Sequence, residues 1–152
     1  MSYWLFKTEP SECSIDDFAN APDTPIVWEG VRNYQARNML RDEVQKDDLV
    51  FIYHSSCKLI GVAGIARVVR TTYPDPSQFS AASAYFDAKS SHESPRWVAV
   101  DLVFVEKLPA IIPLDKLKSL AKLSELPLVQ RGSRLSVMPV TPEQWQSVLQ
   151  QR

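Results

Sequence analysis

The sequence is poor in the residues that support disulfide frameworks and metal centres. Among its 152 residues are two cysteines, Cys13 and Cys57, and two histidines. Two cysteines do not make a disulfide framework, and reduced thiols in a cytoplasmic protein are the simpler interpretation. No apolar run approaches the roughly 18 residues of a membrane span, and the first residues lack the basic and apolar regions of a signal peptide. We therefore expect one cytoplasmic domain over residues 1–152.

An excess of basic charge is also missing. The chain carries 17 basic and 18 acidic residues, which gives a formal net charge of −1. Proteins that coat duplex DNA bind it largely through Lys and Arg contacts with phosphates. The charge balance therefore argues against such a protein. A pocket for a single nucleotide stays compatible with it, because local charge can differ from total charge.

No catalytic or metal-binding motif is recognisable. His54 and Ser55 are adjacent in the segment YHSSC, but neighbours on a strand point to opposite faces and are poorly placed as base and nucleophile. The sequence has no G-x-S-x-G elbow and no P-loop. His54 and His92 are far apart, and neither cysteine belongs to a C-x-x-C pair. We expect no catalytic residue, no metal and no cofactor.

The pattern of apolar residues predicts an α+β domain. β-Branched and aromatic runs predict strands, and capping signals at Ser14 and Thr141 predict helix starts. The predicted strands are 3–8, 26–28, 49–54, 59–73, 96–108 and 133–140, and the predicted helices are 14–20, 32 or 33 to 43, 113–120 and 141–150. Gly61 and Gly64 predict a bulge or a close backbone approach. We expect a strongly bent, mostly antiparallel sheet, with barrel closure as one possibility, and a functional loop over 74–95.

The four tryptophans divide into two groups. Trp4 and Trp145 lie in regular apolar patterns and are expected in the core. Trp28 stands before glycine, arginine and asparagine residues, a setting that favours a pocket wall over the core. Trp97, beside an arginine on a predicted strand, is equally compatible with either place.

Two further segments have both a structural and a functional interpretation. Tyr85 and Phe86 lie in a Ser-rich loop, where bare aromatic rings would cost free energy. They either anchor the loop or form the wall of a cavity. Arg131 and Arg134 precede a predicted strand and form either a solvated turn or a phosphate contact, since guanidinium groups match phosphate oxygens.

Taken together, these segments resemble the EVE domain family. The matching pieces occur in family order from Tyr3 to about Trp145: YWLFKTEPSECSIDDF, VWEGVRNYQARNML, DDLVFIYHSS, GVAGIARVV, YPD, YFDAKS, PRWVAVDLVF and RGSRLSVMPVT. The combination of FKTEPSE, GVRNYQARN and RLSVMPV is highly specific. The resemblance implies a PUA-like fold, a bent antiparallel or mixed β-barrel flanked by short helices. It also implies a non-enzymatic module that recognises a flipped, modified nucleobase, above all a modified cytosine in DNA.

The resemblance further assigns site residues. It implies a base pocket in which Trp28 forms a wall, while Asn33 and the backbone N–H groups of residues 31–34 form a hydrogen-bonding rim. The implied pocket residues are Lys7, Thr8, Trp28, Val31, Arg32, Asn33, His54, Ser55, Tyr85, Phe86, Asp87, Pro95 and Trp97. The implied phosphate contacts come from Arg37, Arg96, Arg131 and Arg134.

Two alternatives stay open at this point: a reader of a modified nucleotide in RNA or tRNA, and a small enzyme acting on a nucleoside-like molecule. Shifted pKa values clustered around His54 and an aspartate would favour the enzyme. An aromatic slot with neutral hydrogen-bonding groups would favour the reader. The expected partner is a nucleic acid with a modified base, DNA in preference to RNA, bound with micromolar or weaker affinity. We also expect the pocket to trap ring-shaped buffer molecules.

Overall fold

The computed structural model describes residues 1–152 and contains six strands and four α-helices. The strands are β1 (Tyr3–Thr8), β2 (Ile26–Trp28), β3 (Leu49–His54), β4 (Gly61–Pro74), β5 (Val98–Pro113) and β6 (Val137–Val140). The helices are α1 (Ile15–Ala19), α2 (Tyr34–Asp42), α3 (Leu114–Lys118) and α4 (Pro142–Leu149). Short 3₁₀ turns cover Pro76–Phe79, Ala121–Leu123 and Pro127–Val129.

The strands form one mixed sheet in the order β2-β5-β4-β3-β1-β6. β1 and β3 run parallel, with Thr8 opposite His54, and every other pair is antiparallel. The predicted α+β fold, of the PUA-like kind, is therefore confirmed. The barrel is not closed, because β2 and β6 each have one neighbour. Both suit a sheet edge: β2 has only three residues, and Pro139 in β6 has no N–H to donate.

Capping side chains define where the helices begin. Ser14 and Thr141 both form the predicted N-caps, each within a reciprocal capping box. Asn33 caps α2, because its side-chain Oδ1 accepts the backbone N–H of Ala36 at 2.9 Å.

The core lies on both faces of the sheet, since strand residues alternate between them. On β3, Val50 and Ile52 face α1 and α2, while Phe51 and Tyr53 face the side of α3 and α4. Trp4 and Trp145 are buried, one on each side, as predicted.

Several element boundaries differ from the prediction: β4 begins at residue 61 and not at 59, and β5 begins at 98 and not at 96. β5 continues to Pro113 because Ile112 pairs with Val62, although Pro109 marked a break in the sequence. β6 begins at residue 137 and not at 133. The predicted loop over 74–95 contains a 3₁₀ turn that begins after Asp75.

Gly61 and Gly64 do lie where backbones approach closely. An ideal Cβ at Gly61 would come within 2.1 Å of the Ile112 carbonyl oxygen, and one at Gly64 would come within 2.5 Å of the Glu106 carbonyl oxygen and 2.4 Å of the Ile15 side chain. The register between β4 and β5 also shifts between Val62 and Gly64. Separately, no helix combines the length and apolar character that a membrane crossing requires.

Candidate functional site

The largest cavity is an open cleft of about 790 Å³ at the edge of the sheet where β1 and β3 end. Because these two strands are parallel, their C-terminal ends meet there, and β2 with its following residues closes another side. The cleft is lined by Lys7, Thr8, Glu9, Glu12, Cys13, Asp17, Ile26, Val27, Trp28, Glu29, Gly30, Val31, Ser55, Ser83, Ala84, Tyr85 and Ser136.

Trp28 forms the apolar floor of the cleft with the small part of the residue that the core leaves exposed. The residue is only 6% exposed, and its ring lies 5.5 Å from that of Phe6 and 6.5 Å from that of Phe18, measured between centroids. Val31 beside it is also buried. Trp28 thus belongs to the core and lines the cleft at the same time. The sequence pattern presents these two places as alternatives, and the residue occupies both.

Charged groups, and not the neutral ones expected, dominate the polar part of the lining. Four carboxylates face one ammonium group, that of Lys7. Lys7, Glu9 and Glu29 form no hydrogen bond or ion pair through their side chains. Burial, with the charge of Asp75 as a smaller cause, raises the pKa of the Glu29 carboxyl, and burial lowers the pKa of Lys7. These groups are free to bind a polar ligand.

A network of hydrogen bonds around Asp75, which we call the Asp75 network, supports one wall. The carboxylate of Asp75 is fully buried. It accepts the N–H of Gly30 at 2.8 Å, the N–H of Ser77 at 2.7 Å and the guanidinium of Arg32 at 3.0 Å. A buried carboxylate needs such partners, because an unpaired one would be costly. The network therefore fixes the segment that follows Trp28 against the 3₁₀ turn.

Arg32 is engaged in this network and does not line the cleft. Its guanidinium donates to the carbonyl oxygen of Tyr85 from Nη2 at 2.7 Å and from Nε at 3.1 Å. It also lies 5.2 Å from the ring centroid of Trp97 and 5.6 Å from that of Tyr85. A direct contact between Arg32 and a base stays a prediction.

Gln78 holds the rest of the long loop. Its buried amide donates to the carbonyl oxygens of Asp75 and Trp97, both at 2.8 Å, and accepts the N–H groups of Arg96 and Trp97. The indole of Trp97 donates to Asp87 at 2.8 Å, and this bond is the main reason why the pKa of that carboxyl is lowered. Four well-placed bonds from one side chain make the loop ordered.

Tyr85 closes the cleft on the side of this loop. Its hydroxyl donates to Glu12 at 2.5 Å, and this bond, together with burial, raises the pKa of Tyr85 to about 12. The ring lies against Gly30, whose φ is +86°. An ideal Cβ at Gly30 would lie 2.8 Å from the ring, so only glycine fits there.

His54 faces a second cavity, of about 520 Å³, and not the cleft. Its Nε2 accepts the N–H of Ile15 at 3.1 Å, and burial lowers its pKa against the opposing effect of Asp16. In the cleft, burial raises the pKa of Cys13 to about 11, which leaves a thiol at neutral pH. Ser14 and Asp16 line the second cavity together with His54. No group of three or more His, Cys, Asp or Glu side chains is arranged to hold a metal.

The structure brings some of the predicted pocket residues together and leaves others apart. Those that line the cleft are Lys7, Thr8, Trp28, Val31, Ser55 and Tyr85. Those that do not are Arg32, Asn33, His54, Phe86, Asp87, Pro95 and Trp97. Among these, Asn33 uses its Oδ1 as a helix cap, so only its amide nitrogen is free for a base. Phe86 and Pro95 are exposed.

The four predicted phosphate contacts share one property. None of them forms an ion pair with a carboxylate, whereas Arg32, Arg41, Arg67 and Arg152 do. Arg37 donates to the backbone oxygen of Arg96 and covers the ring of Tyr34 at 4.7 Å. Arg131 and Arg134 are exposed and lie just before Ser136, which lines the cleft.

Several residues that shape the site were missed from the sequence: Glu12, Glu29, Gly30, Asp75 and Gln78. One of them had a usable signal. Asp75 stands between two prolines in the segment YPDPSQF, and an aspartate before Pro is a frequent start of a turn. Its arginine partner, however, lies 43 residues earlier and could not be inferred.

Comparison with known proteins identifies the family. The EVE domain family model matches residues 2–151. Human thymocyte nuclear protein 1 is 38% identical over 165 aligned positions, which cover 97% of this chain and 72% of the human protein. A crystal structure of human THYN1 protein in complex with 5-methylcytosine-containing DNA has a TM-score of 0.93 at 37% identity, covering 99% of this chain and 97% of that one. A crystal structure from Pseudomonas syringae has a TM-score of 0.95 at 49% identity and 99% coverage of both chains. The resemblance seen in the sequence is thus confirmed, and the chain belongs to the EVE domain family.

Proposed function

We propose that this protein is a non-enzymatic reader that binds a modified cytosine of DNA in the cleft. The observation that carries the proposal is the Trp28 floor beside free ammonium and carboxylate groups. The similarity to human THYN1 protein, whose crystal structure contains 5-methylcytosine DNA, supports it. The RNA reader is the alternative that the same experiment tests.

The shape of the cleft suits a base that has left its stack. The cleft is a recess between strand ends, so a base within a duplex would not reach its floor. Extruding a base costs a few kcal/mol, and the enzymes that do so recover it by stacking and by hydrogen bonds to the Watson–Crick edge. Stacking on an aromatic ring is worth about 1–3 kcal/mol, and Trp28 and Tyr85 are the aromatic residues of the lining.

The charges of the lining favour cytosine over thymine. Cytosine presents an amino donor at N4 beside acceptors at N3 and O2, whereas thymine presents an acceptor at O4. The Glu29 carboxylate can accept from the amino group, and Lys7 can donate to one of the acceptors. Thymine would bring its O4 toward a carboxylate, which repels it.

A 5-methyl group also finds a complementary surface. The apolar part of the lining includes Ile26, Val27 and Val31. Burying one methyl group is worth about 0.8 kcal/mol, which corresponds to roughly a fourfold gain in affinity.

Backbone phosphates do not suit the cleft itself, because its carboxylates outnumber its single lysine. The arginines without ion pairs are better placed for this contact, Arg131 and Arg134 before the cleft residue Ser136 and Arg37 with Arg96 on the side of α2. The small number of arginines available for phosphate contacts and the net charge of −1 support weak, salt-sensitive binding of the nucleic acid.

The test is a titration, followed by Trp fluorescence, with single-stranded DNA oligonucleotides that differ in one base: 5-methylcytosine, cytosine or thymine. Single strands remove the cost of breaking a base pair. We expect binding about fourfold tighter for 5-methylcytosine than for cytosine and at least tenfold tighter than for thymine. RNA versions of the same oligonucleotides decide between the two polymers.

Matched variants connect the result to the cleft. Glu29→Ala removes the proposed acceptor and is expected to abolish the preference for cytosine over thymine. Glu93→Ala removes an exposed carboxylate of the long loop, outside the cleft, and is expected to change nothing. Equal binding of all three bases, at a level that salt abolishes, would overturn the proposal.

A further inference from the structure

Resting on the proposed function, we propose that Tyr85 is a hinged wall of the cleft. Its hydrogen bond to Glu12, which we call the latch, holds the ring in place beside the open cleft in the free protein, and a base is accepted when the latch opens and the cleft widens. Arg32 is the positioning residue that keeps the hinge in place.

The latch connects two separate loops at the cleft. Glu12 belongs to the turn after β1, and Tyr85 belongs to the long loop 73 residues later. Both side chains line the cleft, so their bond forms part of its wall. The bond is solvent-exposed, and water can replace either partner at little cost. The latch is therefore easily broken.

The backbone of Tyr85 is held much more firmly than its tip. Two bonds from Arg32 reach its carbonyl oxygen, and its N–H donates to the Ser83 hydroxyl at 3.0 Å. Arg32 is itself paired with the fully buried Asp75. The hydroxyl of Tyr85, in contrast, has Glu12 as its one partner. Rotation of the side chain can thus widen the cleft, and without the latch the segment 83–87 has one tertiary bond fewer to resist local opening.

Gly30 gives the ring its resting place. The ring packs against the Gly30 backbone, where an ideal Cβ would come within 2.8–2.9 Å of three ring atoms. Gly30 and Tyr85 both line the cleft on the side of Trp28. When the latch opens, the ring is free to stack on a base that lies on the Trp28 floor.

A latch of this kind lowers the apparent affinity, because only the open fraction of the protein binds. Removing the latch while keeping the ring should then tighten binding. If the bond instead oriented the ring for stacking in the complex, the same change would weaken binding. The two models thus predict opposite changes in affinity for the same variant.

The first arm needs no nucleic acid. Tyr85→Phe and Glu12→Gln each weaken or remove the latch but keep side-chain size, and we expect faster amide hydrogen exchange over residues 83–87 in both. Tyr34→Phe is the matched control, since the Tyr34 hydroxyl is exposed and forms no hydrogen bond. Unchanged exchange in both latch variants would overturn the proposal.

The second arm measures binding of the single-stranded 5-methylcytosine oligonucleotide. For Tyr85→Phe we expect about threefold tighter binding through a faster association rate. A change of about threefold corresponds to the net free energy of one exposed hydrogen bond. Arg32→Lys keeps the positive charge but loses the paired guanidinium donors that hold the Tyr85 carbonyl oxygen. It is expected to weaken binding and to speed amide hydrogen exchange at Tyr85. Weaker binding by Tyr85→Phe would overturn the latch. If the oligonucleotide binds to no variant, the proposed function fails, and the exchange arm alone decides the latch.

Discussion

The two ends of the molecule are stabilised by different kinds of contact. On the face of α4, aromatic rings pack on one another: the ring centroid of Trp145 lies 3.7 Å from that of Phe51 and 4.6 Å from that of Tyr3. Around the cleft, the long loop is held by buried polar groups, chiefly Asp75 and Gln78. The first end is an apolar core, and the second is a polar framework.

This difference matters for a binding site. Apolar contacts are non-directional, so a core tolerates small rearrangements, whereas a buried carboxylate or amide requires every partner in place. A framework of directional bonds holds Gly30 and Tyr85 in fixed positions. It also leaves the side chains of Lys7 and Glu29 free, because neither belongs to it.

Replacing Trp145 by alanine should give the largest loss of stability and spare the cleft. The residue is 3% exposed, and removing a buried Trp costs about 4 kcal/mol through lost burial and the cavity left behind. Urea unfolding followed by circular dichroism measures the loss. Binding of the 5-methylcytosine oligonucleotide should be unchanged below the unfolding transition. A parallel loss of binding would show that the two ends are not independent.

Asp75→Ala should destabilise the protein somewhat less but damage the cleft. It removes the buried partner of Arg32, and breaking this pair costs about 3 kcal/mol, the lower end for buried pairs because Arg32 keeps some exposure. Asp42→Ala breaks the exposed pair with Arg41 and is expected to leave the stability nearly unchanged, because solvent screens such a pair. The same urea experiment compares both. Oligonucleotide binding should weaken in Asp75→Ala only, and wild-type affinity in that variant would contradict the supporting role of the network.

The apolar end was largely predictable from the sequence, because its signals are local. The capping pair Thr141 and Gln144, three residues apart, defines the start of α4. The alternation along β1 and β3 places their side chains on two faces. Such signals operate over a few residues, and they predict the elements and their order. Several boundaries differ, chiefly the end of β5, where Pro109 suggested too early an end, and the start of β6.

The cleft was only partly predictable, because its contacts link distant residues. Trp28 was predicted from the residues that follow it and Lys7 through the family resemblance, and both line the cleft. The roles of Arg32 and His54 depend on Asp75 and Ile15, which lie 43 and 39 residues away in sequence. No local pattern shows that a guanidinium will bind a backbone oxygen of the loop and not a ligand.

Gly30→Ala should have an intermediate effect that tests how the Tyr85 ring is seated. Gly30 and Gly132 have similar positive φ values, +86° and +79°, but only Gly30 has the ring within contact. A side chain at such φ values costs about 1–2 kcal/mol in either place. The clash with Tyr85 should add about 1 kcal/mol at Gly30, as an overpacking effect. Urea unfolding of both variants measures the difference, and equal losses would show that the ring moves away freely.

The smallest expected effect is a pH-dependent one at Glu29. Burial raises the pKa of its carboxyl above the ordinary value of 4.5 in the folded protein. The neutral Glu29 carboxyl therefore stabilises the folded protein fully below pH 4.5, and this stabilisation is lost as the pH rises through the folded pKa. Glu29→Gln, which stays neutral, should gain stability relative to the wild type between pH 4 and pH 7 in urea unfolding. Glu93→Gln should show no such gain. Equal changes in the free energy of unfolding of the two variants would show that the Glu29 carboxylate is as stable in the cleft as in open solvent. The proposed electrostatic preference for cytosine would then lose its support.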